Sequence, residues 1–254
     1  MTKPKALVLY GDGINCQLET AYALEVAGFA PELVTCLSLK ENLQKLKDDC
    51  QLLALPGGFS FGDEVRSGKV LAVKMRAYMG DAIAQFCQSG KLIVGICNGF
   101  QALVQLGILP LGEVAKGDQD RTVTLAHNSG GKFMDRWVDL NVSGKSAYFA
   151  GLSQLSLPVR HGEGRLVLRD EASQSTRIKA LAPLRYVSDI NGSFDQIAAL
   201  VSPSDKVLGL MPHPECYIRH SQKPDWTRHK SDKTLTESVP AGLQIFLNAR
   251  SMLN

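Results

Sequence analysis

The chain has 254 residues, 44% hydrophobic and 21% charged, enough to bury a sizeable core as one α/β domain carrying insertions. Its formal charge of +3 is spread along the sequence, with no basic block carrying interleaved aromatics, which argues against a nucleic-acid partner. The longest apolar runs, such as Leu92 to Cys97, are far too short to span a bilayer, and Met1 to Lys5 shows no signal-peptide pattern, so no membrane partner and a cytoplasmic location are expected.

In chain order, Lys5 to Tyr10 is a short apolar run that meets a turn at Gly11-Asp12-Gly13. Cys16 to Ala27 has helical spacing at Leu18, Tyr22 and Val26 and stops at Gly28. Pro31 to Leu37 predicts a second strand, Glu41 to Lys47 a helix, and Gln51 to Leu55 a buried strand ending at Pro56-Gly57-Gly58. Val70 to Gln88 predicts a long helix, Leu92 to Ile96 another apolar strand, and Phe100 to Leu106 a helix ended by Gly107. Continuous apolar strands alternating with amphipathic helices predict a mostly parallel twisted sheet with helices on both faces. Ligands collect at the carboxyl ends of such strands, which places Gly11 to Gly13, Gly57-Gly58 and Cys97 on one rim.

After Gly112 the pattern changes to added, antiparallel-looking strands at Thr122 to Ala126, Arg136 to Val142, Leu166 to Arg169, Leu184 to Val187 and Gln196 to Val201, with a hairpin signal at Asn191-Gly192. Val207 to Met211 is a last apolar strand that ends at Pro212-His213-Pro214-Glu215. Residues 219–239 predict a surface loop, with His220 and His229 exposed on it, and Leu243 to Met252 a closing helix. No repeat or linker interrupts the chain, so residues 1–254 are expected to form a single domain.

Six cysteines occur, at 16, 36, 50, 87, 97 and 216, with no C-x-x-C pair and no zinc spacing, so no metal site is expected and most thiols should be reduced and buried. Cys97 is the exception to consider. In Gly95-Ile96-Cys97-Asn98-Gly99 it lies directly between a strand and a helix, where small neighbours permit the tight turn of a nucleophile elbow. That turn aims the thiol at the rim and at a helix N-terminus, whose dipole and free N–H groups favour a thiolate. Alone, the pattern also fits a buried structural thiol. His213 and Glu215, one residue apart at the end of another strand, supply what an activated thiol needs: a base and a carboxylate that fixes its tautomer. The backbone N–H groups of Asn98 and of Gly58 could receive a developing oxyanion.

These residues resemble the class I, or triad, glutamine amidotransferases. More narrowly, the chain is similar to the glutaminase subunits of phosphoribosylformylglycinamidine (FGAM) synthase. The matching stretches are Gly13-Ile-Asn-Cys16, Pro56-Gly-Gly-Phe-Ser-Phe-Gly-Asp63, Gly95-Ile-Cys-Asn-Gly-Phe-Gln101, His127-Asn128 with Phe133 and Arg136-Trp137-Val138, His161-Gly-Glu-Gly-Arg165, Asn191-Gly-Ser193 and Gly209-Leu-Met-Pro-His-Pro-Glu215. The resemblance implies a flavodoxin-like fold in which Cys97 forms a glutamyl thioester, His213 moves the protons and Glu215 orients it, with Gly58 and Asn98 as the oxyanion hole. It implies Gln101, Asn128 and Phe133 as binding residues for L-glutamine. It further implies no cofactor in this chain and a synthetase subunit that uses ATP and Mg, either as one long chain or as a shorter one joined by an additional small subunit. Neither a G-x-x-x-x-G-K-[ST] loop nor a strand-linked G-x-G-x-x-G is present to hold ATP here. Three other readings stay open on the residues alone: a class I glutaminase of another pathway, a cysteine hydrolase of the same fold, and a non-catalytic scaffold. The glycine-rich loop with Phe59 and Phe61 suggests a weak lone glutaminase that its partner switches on by ordering the loop.

Overall fold

The computed structural model describes residues 2–233 and 237–253. Its strands are β1 (Lys5–Leu9), β2 (Ala30–Val34), β3 (Cys50–Leu55), β4 (Leu92–Ile96), β5 (Val123–Ala126), β6 (Met134–Val142), β7 (Gln154–His161), β8 (Arg165–Leu168), β9 (Leu184–Tyr186), β10 (Ile197–Val201) and β11 (Val207–Leu210). Nine of them form one sheet in the order β2-β1-β3-β4-β11-β10-β9-β6-β7, and β5 pairs with β8 in a separate ribbon. From β2 to β11 the neighbours run parallel. Beyond β11 every pair is antiparallel. β4, β10 and β11 are buried at every position, which is why they read as uninterrupted apolar runs.

The first helices are α1 (Gln17–Val26), α2 (Cys36–Glu41), α3 (Lys69–Gln88) and α4 (Asn98–Leu106). The connection β1–α1–β2 moves outward in one direction and β3–α3–β4 in the other. With right-handed crossovers, α1 and α3 therefore cover opposite faces. The strand order reverses between β1 and β3, and the loops that leave their carboxyl ends meet in the crevice there, the usual ligand position in such sheets. They are zipped together: Phe59 N–H donates to Gly13 O at 2.7 Å, Phe61 N–H to Asp12 O at 2.9 Å, and Asn15 N–H to Gly57 O at 3.4 Å.

The structure departs from the sequence expectations at several elements. In α1, Leu18, Tyr22 and Val26 face solvent, and the buried face is Thr20, Ala23 and Leu24. The second strand stops at Val34, because Thr35 and Ser38 form a capping box that starts α2. The helix expected over Glu41 to Lys47 is replaced by the end of α2 and a π-helical turn, Lys45–Asp49. α3 is kinked at Met79. β7 and a helix α5 (Glu171–Ala180) lie outside the elements the sequence predicts. Asn191-Gly192 is a turn held by the Asp189 carboxylate within a longer β9–β10 connection. His220 and His229 are half-buried rather than exposed, bonded to Ser238 O at 2.8 Å and Asp225 Oδ2 at 3.5 Å. Residues 234–236 of the expected loop lie outside the described residues.

Candidate active site

β4 ends at Ile96 and α4 begins at Asn98, so the whole reversal falls on Cys97, which adopts φ 49° and ψ −105°. A non-glycine residue in that region costs about 1–3 kcal/mol, a strain that surrounding structure must hold in place. The surroundings do so by close approach. A Cβ on Gly99 would lie 1.9 Å from Leu55 O, and one on Gly95 would lie 2.6 Å from Leu103 Cδ1. Cys97 N–H donates to Leu210 O at 2.8 Å, tying the elbow to β11, and its buried thiol donates to Arg160 O at 3.5 Å.

β11 delivers the next two groups. His213 N–H donates to Pro158 O of β7 at 2.9 Å, which fixes the backbone where it leaves the sheet. The His213 Nδ1 and Glu215 Oε1 atoms are 2.6 Å apart, with both side chains buried. Burial alone would pull the imidazole pKa down. The Glu215 carboxylate and then the Cys97 and Cys16 thiols outweigh that, and the ring's pKa stands well above its ordinary value. Nδ1 is taken by Glu215, and buried Nε2 makes no hydrogen bond of normal geometry. Gly57 brings the thiol and imidazole together: its missing Cβ would lie 2.7 Å from His213 Cε1 and 3.4 Å from Cys97 Cβ.

Gly58 has φ 144°, and a Cβ there would lie 2.7 Å from both Asn15 N and Gly13 O, so only glycine fits this crossing of the two loops. Asn98, the first residue of α4, has an amide with no helical acceptor, while its side chain bolts the loop down. Asn98 Oδ1 accepts from Ser60 N–H at 3.2 Å, and Nδ2 donates to Asp63 Oδ1 and Gln101 Oε1, each at 3.0 Å. The Asn98 side chain thus ties the loop over Gly57 to Asp63 to the start of α4. A cavity of about 120 Å³ opens at His213 and Gly58, with Arg160 and Cys16 in its wall and Phe59 and Phe133 at its rim. The two phenylalanine rings are 6.0 Å apart and both are exposed.

Of the residues expected around a substrate, Phe133 lines this cavity and Gln101 and Asn128 do not. Gln101 is buried, with Nε2 donating to Glu163 O. Asn128 braces the loop after β7: Nδ2 donates to Lys132 O and His161 O, both at 2.9 Å, and Oδ1 accepts from Gly164 N–H at 3.3 Å. Asn128 Oδ1 is also 3.1 Å from His161 Nδ1. Burial, with the charge on nearby His213, lowers the His161 pKa to about 4, so this ring is neutral. Two neighbours were not foreseen. Arg160 supplies the carbonyl acceptor for Cys97, and its guanidinium donates to Cys216 Sγ at 2.9 Å and Cys16 Sγ at 3.8 Å. Cys16 lies in an island the sequence singled out, but its contacts join residues 144 positions apart and no local pattern announces them.

The remaining thiols are inert by environment. Burial raises the pKa of Cys36, Cys50 and Cys87 to about 11 and of Cys216 to about 12. Cys16 Sγ, a His213 nitrogen and a Glu215 oxygen lie within 4.8 Å of one another, a donor set that a thiophilic ion could share. No described helix is long and apolar enough to cross a membrane.

A strained cysteine between strand and helix, met by a buried His–Glu pair from the adjoining strand on a parallel sheet, is the architecture of the glutamine amidotransferases. The chain belongs to the family of the CobB/CobQ-like glutamine amidotransferase domain, whose profile matches residues 3–253. Among curated relatives, the phosphoribosylformylglycinamidine synthase subunit PurQ of Dehalococcoides mccartyi is 39% identical, covering 98% of this chain and 97% of the relative. The subunit of the same name from Thermotoga maritima is 40% identical over 84% of this chain and 88% of its own. A chain in the solved structure of PurLQS from Thermotoga maritima superposes with a TM-score of 0.76 at 34% identity, covering 99% of this chain and all of that one.

Proposed function

We propose that this chain is the glutaminase subunit of phosphoribosylformylglycinamidine synthase, working in the cytoplasm as one domain. It hydrolyses L-glutamine to glutamate and ammonia and supplies the ammonia to a synthetase subunit, with a further small subunit in the assembly. That synthetase uses ATP to make FGAM from its formylglycinamide precursor in purine biosynthesis. The reading is supported by identity of 39% over nearly the full length of a relative bearing that function's name, and by the match to a PurLQS chain.

The chemistry follows from the residues in place. His213 Nε2 takes the Cys97 proton, and the sulfur attacks the carbon of the glutamine side-chain amide. The developing oxyanion is received by the Gly58 and Asn98 N–H groups. As the tetrahedral adduct collapses, the imidazolium returns its proton to the leaving nitrogen, releasing ammonia and leaving a glutamyl thioester on Cys97. Water then attacks the thioester with His213 as base, and glutamate departs with the thiol restored. Glu215 keeps Nδ1 protonated and stabilises the imidazolium throughout. Phe133 closes the rim over bound glutamine, while Gln101 and Asn128 hold the walls from which the substrate's amino acid end is gripped.

The observation that carries this mechanism is the buried 2.6 Å His213–Glu215 pair beside the strained Cys97. Replacing Cys97 by Ser should lower glutamine hydrolysis by about a thousandfold or more, with the fold unchanged by circular dichroism. Retention of hydrolysis by Cys97→Ser would refute it.

A further inference from the structure

A second cavity lies apart from the one at His213 and Gly58. It has a volume of about 580 Å³ and lies between the start of α3, the far end of α4 and the β5–β8 ribbon. That size is within the range of small-molecule sites. Four cationic side chains, Arg66, Lys69, Arg121 and Arg169, face it, with Asp118 as the single carboxylate.

The cations are of two kinds. Arg121 and Arg169 are fixed in advance: Arg121 donates to Gln105 Oε1 at 2.7 Å and pairs with Asp118 at 2.9 Å, while Arg169 donates to the carbonyls of Asp118 and Gln119. Arg121 Nε is nonetheless buried without an acceptor. Arg66 and Lys69 have no side-chain partner among the described residues, so two unpaired long cations line an unfilled space together with two fixed guanidinium groups. Planar, fixed guanidinium groups with mobile cations opposite suit multidentate phosphate recognition. The rest of the wall is of another character. Val123 and Leu168 form an apolar surface, and Thr124 and buried Gln105 offer hydrogen-bonding groups beside it. Bare phosphate needs no such surface. A ligand with an anionic end and a flat, partly apolar end does.

We propose that this cavity binds a nucleoside polyphosphate at a site separate from the glutamine centre, the phosphates on the four cations and the nucleoside against Val123, Leu168 and Thr124. The glycine-rich phosphate loops are absent, so side chains do the holding, and affinity should fall steeply with salt.

Isothermal titration of the full chain with ATP, adenosine and inorganic tripolyphosphate tests this. ATP should bind saturably, with adenosine and tripolyphosphate each weaker by about tenfold or more, a difference of about 1.4 kcal/mol. A double variant, Arg66→Ala with Lys69→Ala, should weaken ATP by at least about the same factor, and Thr124→Val should weaken ATP but not tripolyphosphate. Neither change touches the glutamine centre, so glutamine hydrolysis by the variants reports that they are folded. Three results overturn the proposal: no saturable ATP binding by active protein, ATP affinity unchanged in the double variant, or tripolyphosphate binding as tightly as ATP. A double variant that loses capture of the synthetase, with ATP bound by neither protein form, makes this a protein-docking face and likewise overturns it.

Discussion

Glu215 reaches His213 Nδ1 with both side chains buried, so solvent screens its charge on the imidazole little. Glu215→Gln keeps the shape and removes the charge. Steady-state kinetics should show kcat/KM for glutamine reduced about a hundredfold or more, with most of the loss in kcat, because the pair stabilises the imidazolium more than it binds substrate. His161 makes a separate prediction. Its folded pKa of about 4 lies below the unfolded value near 6.5, so the unfolded chain takes up its proton first. Stability linked to this ring is present above pH 6.5 and is lost as the pH falls towards 4, on the order of 3 kcal/mol in all. His213, with its pKa raised, stays protonated when folded while the unfolded ring gains its proton through about pH 6.5, so it adds a slope of opposite sign near there and none below about pH 5.5. Thermal melts from pH 7 to 4 should show a fall in Tm that is smaller in His161→Gln.

At the scale of elements, the elbow depends on what Gly99 lacks. Gly99→Ala would drive a methyl against Leu55 O in the neighbouring strand, and β3 or α4 must move. Denaturant titration should show a loss of about 1–3 kcal/mol or more, with glutaminase activity falling further than stability because the Cys97 turn is displaced. Gly130→Ala, where an added Cβ meets nothing, is the control and should stay within about 0.5 kcal/mol. The same scale shows what the sequence makes legible. β3, β4 and β11 are buried on both faces, so their apolar runs mark them directly. β7 lies at the sheet edge with Pro158 inside it, and its alternation is broken there. α5 buries only Ile178 and so carries no apolar stripe to detect. In α1 the apolar spacing at Leu18, Tyr22 and Val26 marks the wrong face, since Thr20, Ala23 and Leu24 are the residues that pack. The elbow and the His–Glu pair were legible because each is local to one strand end. The Arg160 contacts with Cys16 and Cys216 were not, because they exist only after β7, α1 and the end of β11 have assembled.

At the scale of the molecule, the parallel and antiparallel halves share one sheet through the β11–β10 pairing, and the candidate site uses both: Cys97 and Gly58 from one, Arg160 and Phe133 from the other. The two halves also share one hydrophobic core, and that coupling predicts a single unfolding transition. Trp137 of β6 packs edge-on against Tyr217 at 5.2 Å and reports on the antiparallel half. In a Trp226→Phe background, its fluorescence and the far-UV circular dichroism should trace coincident urea transitions. Two separated transitions would show that the halves are independent units.

The environments of the cysteines have a practical side. Burial holds four of the six as protonated thiols far above neutral pH, while Cys16 and Cys97 are the two that lie against the His213 imidazole. A label small enough to enter the cavity should therefore favour a thiol beside that base. The molecule would then carry a reporter at its working end with no engineered attachment point, ready to register the arrival of glutamine or of a neighbouring subunit.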